Sequence, residues 1–288
     1  TLKLGTLRLD RNDMRLTLAK GVLSATPFKA RFADGNATIG ARFEGGASGE
    51  PGIGLNIAVE GADIALVGPQ VFGVSFGTGR MDINAELEGQ GRSWLALISS
   101  VSGAGSFRTR SAGLAPMNLP AFSDGLKKLR SLDDFTALQE SAFGKGNTPV
   151  SGLEGDFTMK DAVVSFRKEG LELKGGTAKL AAMFDLARLA ADSELEVTLA
   201  DPEGAPAFTI TAAGKVGAVE RRIDTAALQS FVSTRLLKET AEKAGLKFIP
   251  KELKKLIGLG AEETADKAPA AAGVPLPMAR PEPKASLN

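Results

Sequence analysis

Residues 178–186 read Ala178-Lys179-Leu180-Ala181-Ala182-Met183-Phe184-Asp185-Leu186, with Ala178, Leu180, Ala182, Phe184 and Leu186 on every second position. Successive side chains of a strand point to opposite sides, so a period of two places this set on one face of a pleated strand. Leu195, Val197 and Leu199 repeat the pattern with Glu194, Glu196 and Thr198 between them, and Phe208, Ile210 and Ala212 repeat it against Thr209, Thr211 and Ala213. Three such strands in series predict an antiparallel sheet with one apolar face. What covers that face decides the function.

Upstream, the chain reads as a meander. Leu2, Leu4, Leu7 and Leu9 alternate with polar residues, Arg11-Asn12-Asp13 reads as a turn, and Leu16 and Leu18 follow. Phe28, Ala30 and Phe32 lead to Asp34-Gly35, a hairpin signal because both residues tolerate positive φ. Ala37, Ile39, Ala41 and Phe43 pair back; Leu55, Ile57 and Val59, then Met81, Ile83, Ala85 and Leu87, continue the alternation. Nothing alternates strand with helix in the manner of a parallel α/β fold.

The period changes after Gly89-Gln90-Gly91. Ser93 reads as an N-cap for a helix with Leu95, Ile98 and Val101 on one face, stopped by Gly103 and Gly105; Ser106 to Arg110 reads as extended. Pro116 and Pro120 bracket a loop. Ser123 is expected to cap a helix carrying Leu126, Leu129 and Leu132, and Asp133 or Asp134 a second carrying Phe135, Leu138 and Ala142, ended by Gly144. Beyond Asp224, Leu228, Phe231, Val232 and Leu236 form a helical stripe, and a shorter helix is expected from Pro250. Five of the 14 prolines fall after Leu259, so that tail is expected to be disordered. The predicted organisation is a β block over 1–92, a helical insert over 93–145, a second β block over 146–219 continuing the sheet, helices over 220–258 and a tail over 259–288. The fold class is mainly β, an antiparallel meander curled into an open trough, with a closed β-sandwich as the alternative.

Composition narrows the chemistry. Cys and His are both absent, which removes thiolate and imidazole metal sites, Cys nucleophiles and His-based triads. With 35 basic residues against 34 acidic, no Tyr and a single Trp, the chain has neither the basic field nor the stacking platform of a nucleic-acid binder. The same scarcity of Tyr and Trp leaves no aromatic girdle for an outer-membrane barrel. The Gly-rich turns lack the Lys-Ser/Thr ending of a phosphate loop. Asp133, Asp134, Glu194 and Glu196 sit where a helix cap or a wet strand face would put them, so no enzyme activity and no cofactor is expected. No run of 18 apolar residues occurs. A chain that opens on Thr1 inside a strand pattern reads as a fragment whose anchor or export signal lies upstream.

Three stretches carry a family resemblance. Gly89-Gln90-Gly91-Arg92-Ser93 with Leu95-Ala96-Leu97 and Gly103-Ala104-Gly105 is one; Gly146-Asn147-Thr148-Pro149-Val150 through Gly155-Asp156-Phe157 is the second; the run from Leu171 to Leu199 is the third. Together, over about residues 1 to 240, they resemble the C-terminal region of AsmA-like proteins of Gram-negative bacteria. Asp161-Ala162-Val163 departs from the family's Asn/Asp-Gly turn, which puts the hairpin there in question. The resemblance implies a periplasmic segment held at the inner membrane through an upstream anchor. It also implies likeness to bridge-like lipid-transfer proteins, traffic of phospholipid toward the outer membrane, support of envelope integrity, and no catalytic residues.

The sites expected on this reading are a lipid-lining set of Leu180, Phe184, Leu195, Val197, Leu199 and Ile210 on one concave face, with headgroup contacts from Lys127, Lys128, Arg130, Lys251, Lys254 and Lys255. The partners expected are phospholipid and envelope proteins, with no nucleic acid. The alternative is a structural or interaction β-sandwich in envelope assembly. Periodicity leaves open whether the apolar face is a groove or a closed core.

Overall fold

A computed structural model describes residues 2–4, 7–13, 15–45 and 50–243. The described residues up to Ser233 form one compact unit, and those from Thr234 onward belong to a second. The expected helix from Pro250, its three lysines and the tail lie outside the described residues.

The first unit is built on one antiparallel sheet. Its strands are β1 (Leu2–Leu4), β2 (Leu7–Asp13), β3 (Leu16–Ala19), β4 (Val22–Phe32), β5 (Gly35–Glu44), β6 (Gly52–Asp63), β7 (Gly77–Gln90) and β8 (Ser102–Leu114). They continue with β9 (Thr148–Ser151), β10 (Glu154–Lys160), β11 (Val163–Leu173), β12 (Gly176–Asp185), β13 (Ala190–Leu199), β14 (Phe208–Lys215) and β15 (Ala218–Asp224). The hydrogen-bonded order is β1-β2-β4-β5-β6-β7-β8-β10-β11-β12-β13-β14-β15. β3 lies beside β4, and β9 joins β8 to β11. The path is open at both ends, so the fold is a meander and not a closed barrel.

Facing residues of an antiparallel pair share a side of the sheet, so the register traces each face across the strands. One row runs Ala30, Ala37, Val59, Ile83, Phe107 and Gly155; Leu180, Leu195, Ile210 and Ile223 continue it beyond β11. The next runs Ile39, Ile57, Ala85, Gly105 and Phe157, then Phe166 and Ala182. The opposite side is polar and ion-paired: Arg110 with Asp82 at 2.9 Å, Arg108 with Glu154 at 3.0 Å, Lys179 with Glu196 at 3.4 Å.

The two long edges of the sheet differ. The edge at the Ala33–Asp34 turn also receives the ends of β6, β8, β11, β13 and β15, and helices pack there. α3 (Leu119–Lys128) and α4 (Leu132–Gly144) join β8 to β9 and bring Phe122 and Phe143 onto Phe208, with centroids 5.8 and 5.5 Å away. Thr148 is fully buried: its hydroxyl accepts from Leu119 N and donates to Met117 O, both at 2.9 Å, fixing the start of α3 to β9. α5 (Ala226–Lys243) contributes Leu228 and Val232, both fully buried, to the first unit. In the second unit, Arg235 pairs with Glu239 along the same helix.

A strap also leaves this edge. α1 (Ile64–Val67) and a π-helical turn (Gly68–Phe72) follow β6, with Val67 packed in the cluster of Phe32, Ala37, Val59 and Ala62. The strap then reaches the other edge. Phe72 meets Phe184 edge-on at 5.4 Å, and its carbonyl accepts from Gly217 N at 3.0 Å, in the β14–β15 turn. So short a strap joins β6 to a turn several strands away because the sheet coils, as right-handed twist accumulates over many strands. The open, curled meander is thus the one expected from the strand pattern.

Several local expectations are corrected. Within the 93–145 stretch Ser106 to Arg110 is extended as expected, but the strand it belongs to, β8, is longer and starts at Ser102. Gly103 and Gly105 do not stop a helix: they lie within β8 where neighbours come too close for a side chain, Gly103 against the Glu86 carbonyl and Gly105 under the ring of Phe157. The helix before them, α2 (Trp94–Ser99), is capped by Ser93 as expected, but Leu97 is its buried residue while Leu95 is exposed. Pro120 lies in the first turn of α3, where its missing N–H costs nothing. Asn118 caps that helix, not Ser123, which is buried and donates to the Asp201 carbonyl. Ser131 caps α4, in a capping box with Asp134. Arg11-Asn12-Asp13 belongs to β2 rather than a turn. The hairpin after β4 turns on Ala33–Asp34, one residue earlier than expected.

The hairpin at Asp161–Ala162 forms without glycine. Both residues have positive φ, 50° and 63°, and Ala162 is fully buried. Its N–H donates to Val101 O at 2.7 Å and its carbonyl accepts from Leu186 N at 2.9 Å. Neighbouring segments hold the turn in the left-handed region, which non-glycine residues otherwise avoid.

Candidate functional site

Shielding divides the apolar face into rows. Toward the helix-covered edge, Ala37, Val59, Leu171, Ala178, Val197, Leu199 and Phe208 are buried. The middle of the face is different: Ile39, Ile57, Ile83, Phe107, Phe157, Phe166, Leu180 and Phe184 are all half-buried. Glycine makes this region smooth. Gly155 lies beneath Phe166, whose ring edge would be 2.9 Å from a Cβ there, and Phe107 and Phe166 meet over it at 4.8 Å in a T-shaped pair. From Ile57 on β6 to Phe166 on β11 the strip crosses four strand spacings, roughly 19 Å.

The six residues predicted to line a groove do share this face by register. They differ in accessibility. Leu195, Val197, Leu199 and Ile210 are buried in the protein's own core, Val197 and Leu199 at the end where Phe208 packs under α3 and α4, while Leu180 and Phe184 border the half-buried strip. The accessible residues sequence reasoning missed, Ile57, Phe107, Phe157 and Phe166, carried the same period-two signal; only the position of the helices distinguishes them.

The predicted headgroup residues separate too. Lys127 pairs with Asp201 and, at 3.2 Å, with Asp124; the Asp201 hydrogen bond foremost raises its pKa. Lys128 and Arg130 are exposed at the end of α3 and just beyond it. All three belong to the helix-covered edge, away from the half-buried strip. Lys251, Lys254 and Lys255 lie outside the described residues.

The carboxylates considered for catalysis have structural partners: Asp134 accepts from Arg130 N and Ser131 N, and Glu196 pairs with Lys179. Asp133 and Glu194 are exposed. Among the described residues no group of three or more acidic side chains is arranged to hold a metal ion. No described helix is long and apolar enough to cross a membrane. A shallow depression against α4, lined by Thr136, Gln139, Phe143 and Ile223, has no charged cluster at its base.

No protein-family model, curated protein or solved structure matches the chain. The functional reading therefore rests on the face itself.

Proposed function

We propose that this chain is a non-enzymatic lipid-binding or lipid-bridging segment of an AsmA-like protein. In this reading it lies in the periplasm, attached to the inner membrane through an upstream segment, and holds phospholipid on its way to the outer membrane. One observation carries the proposal: an apolar strip about 19 Å long whose larger side chains, Ile57, Phe157 and Phe166, are half-buried, backed by a polar and ion-paired face. Apolar surface left facing water costs about 25 cal/mol per Å², and an acyl chain laid along the strip would shield both partners. A binding face also explains why α3 and α4 gather at one edge of the sheet, with only the short α2 at the other, and leave the middle accessible.

Purification of the chain followed by lipid extraction and mass spectrometry tests this. Phospholipid or fatty acid should co-purify, and the lipid-free protein should take up a fluorescent acyl probe. A preparation that carries no lipid and takes up no probe would end the proposal. The closed core under α3 and α4 favours a second reading, a structural or interaction module in envelope assembly, and that null result would support it.

A further inference from the structure

The half-buried strip has a cation at its border. β11 alternates in exposure from Ser165 to Glu169: Ser165, Arg167 and Glu169 are exposed, while Phe166 and Lys168 are half-buried. Lys168 is directly opposite Leu180, which shares its side of the sheet with Leu195 and Ile210. Lys168 therefore stands on the apolar side, two residues from Phe166 along β11. Among the described residues its ammonium group has neither a hydrogen bond nor an ion pair.

A second cation that the register places on this side is already engaged. Arg221 faces Ala212, and its guanidinium donates to the carbonyls of Pro116 and Phe143 at 3.0 and 3.2 Å, fastening β15 to the helical edge. On the polar side Arg108 and Lys179 meet carboxylates, while Arg167 and Lys160 are exposed with no ion pair among the described residues; Lys168 differs from these in standing on the apolar side. An ammonium group without a partner, on a four-carbon stem lying along apolar surface, is suited to an anion that arrives attached to an apolar chain.

We infer that Lys168 is the anion-recognition point of the strip, and that the ligand is an amphiphile whose carboxylate or phosphate pairs with it while its chain lies over Phe166 and Phe107. This rests on the lipid-binding reading above and specifies its ligand class. It places the head near β11 and the tail toward β6, since the apolar row continues from Phe166 through Phe157 and Ala85 to Ile57.

The test compares cis-parinaric acid with its methyl ester, by probe fluorescence, on the whole chain and on Lys168→Met and Lys168→Arg. The wild type should bind the acid about fivefold or more tightly than the ester, the scale of a partly exposed ion pair. Lys168→Met should bring the acid down to the affinity of the ester and leave the ester unchanged, and Lys168→Arg should keep the preference. Lysophosphatidic acid should displace the bound acid, whereas inorganic phosphate at the same concentration should not; displacement by inorganic phosphate would mean that the tail contributes nothing and would overturn the proposal. Equal binding of acid and ester, or a preference that survives Lys168→Met, would overturn the anion site and leave the lipid-binding reading standing. Failure of both probes to bind the wild type would overturn both. Matching thermal melts of the three proteins make any loss a property of the site.

Discussion

Phe157 lies across Gly105. The two are directly opposed in the pairing of β8 with β10, and a Cβ at position 105 would overlap the ring while standing 2.5 Å from the Asn84 carbonyl. Gly105→Ala should therefore cost about 2–3 kcal/mol, the upper range for overpacking, in chemical denaturation. In a Phe157→Ala background the ring is gone and the Asn84 contact stays, so the cost should fall without vanishing. An unchanged cost would show that the carbonyl alone excludes the methyl group.

The attachment of the strap is measured by a pair of glycines. Gly73 and Gly204 both have φ of 77°, but a Cβ at Gly204 meets nothing, whereas one at Gly73 overlaps the backbone of Gly217. Gly204→Ala should cost about 1 kcal/mol from backbone conformation alone. Gly73→Ala should cost at least about 1 kcal/mol more, with faster hydrogen exchange at Gly217 N. Equal losses would mean that the strap is not held by the β14–β15 turn.

Core and strip should respond differently to a carboxylate. Val197 is fully buried, and Val197→Asp should cost about 4 kcal/mol or more. Ile57 lies on the half-buried strip, where Ile57→Asp should cost only about 1–2 kcal/mol while acyl-probe uptake falls. If Ile57→Asp unfolds the protein as Val197→Asp does, the middle of the face is ordinary core.

The start of α4 is sensitive to acid. The Arg130 N–H foremost, with the Ser131 hydroxyl and N–H, holds the Asp134 carboxyl below its ordinary value of 3.8. A carboxyl whose folded pKa is depressed contributes stability above its unfolded pKa and loses it as pH falls through the folded one. Asp134→Asn should thus be less stable than wild type at neutral pH, and the gap should close on acidification below pH 3.8. Ser131→Ala removes the other half of the capping box and should cost about 1 kcal/mol at neutral pH. A gap that stays constant with pH would show that the Asp134 charge contributes nothing.

Trp94 is the sole tryptophan of the sequence, and it is 70% exposed. Its emission should be quenched by iodide almost as strongly in the native protein as in urea. A native spectrum shifted to shorter wavelength and resistant to quenching would place α2 against other protein surface.

Strand identity was legible because a sheet face repeats every two residues, and that repeat needs no tertiary information. The sharing of one face by Leu180, Phe184, Leu195, Val197, Leu199 and Ile210 followed from the same count. Which of them stay accessible did not, because it depends on where α3 and α4 come to rest. Gly103 and Gly105 misled for a related reason: a glycine that ends a helix and one that makes room for a ring look alike in sequence. Lys168 was concealed by a bulge. Counted back from Leu171 and Leu173 it falls on the wet side, and counted on from Val164 and Phe166 it falls on the apolar side. The irregularity between Lys168 and Leu171, where Gly170 takes φ of 64°, reverses the alternation.

From β4 to β8 and from β11 to β14, each strand of the sheet bonds to the one before and the one after it in sequence. Such a topology is modular in length. A hairpin inserted or removed between β4 and β7 changes the extent of the apolar face by two strand spacings, roughly 10 Å, and leaves every other pairing intact. The excursion through α3 and α4, between β8 and β9, interrupts the repeat and closes one edge at a fixed place. On the lipid-binding reading, the length of the strip open to a bound chain is set by the number of hairpins.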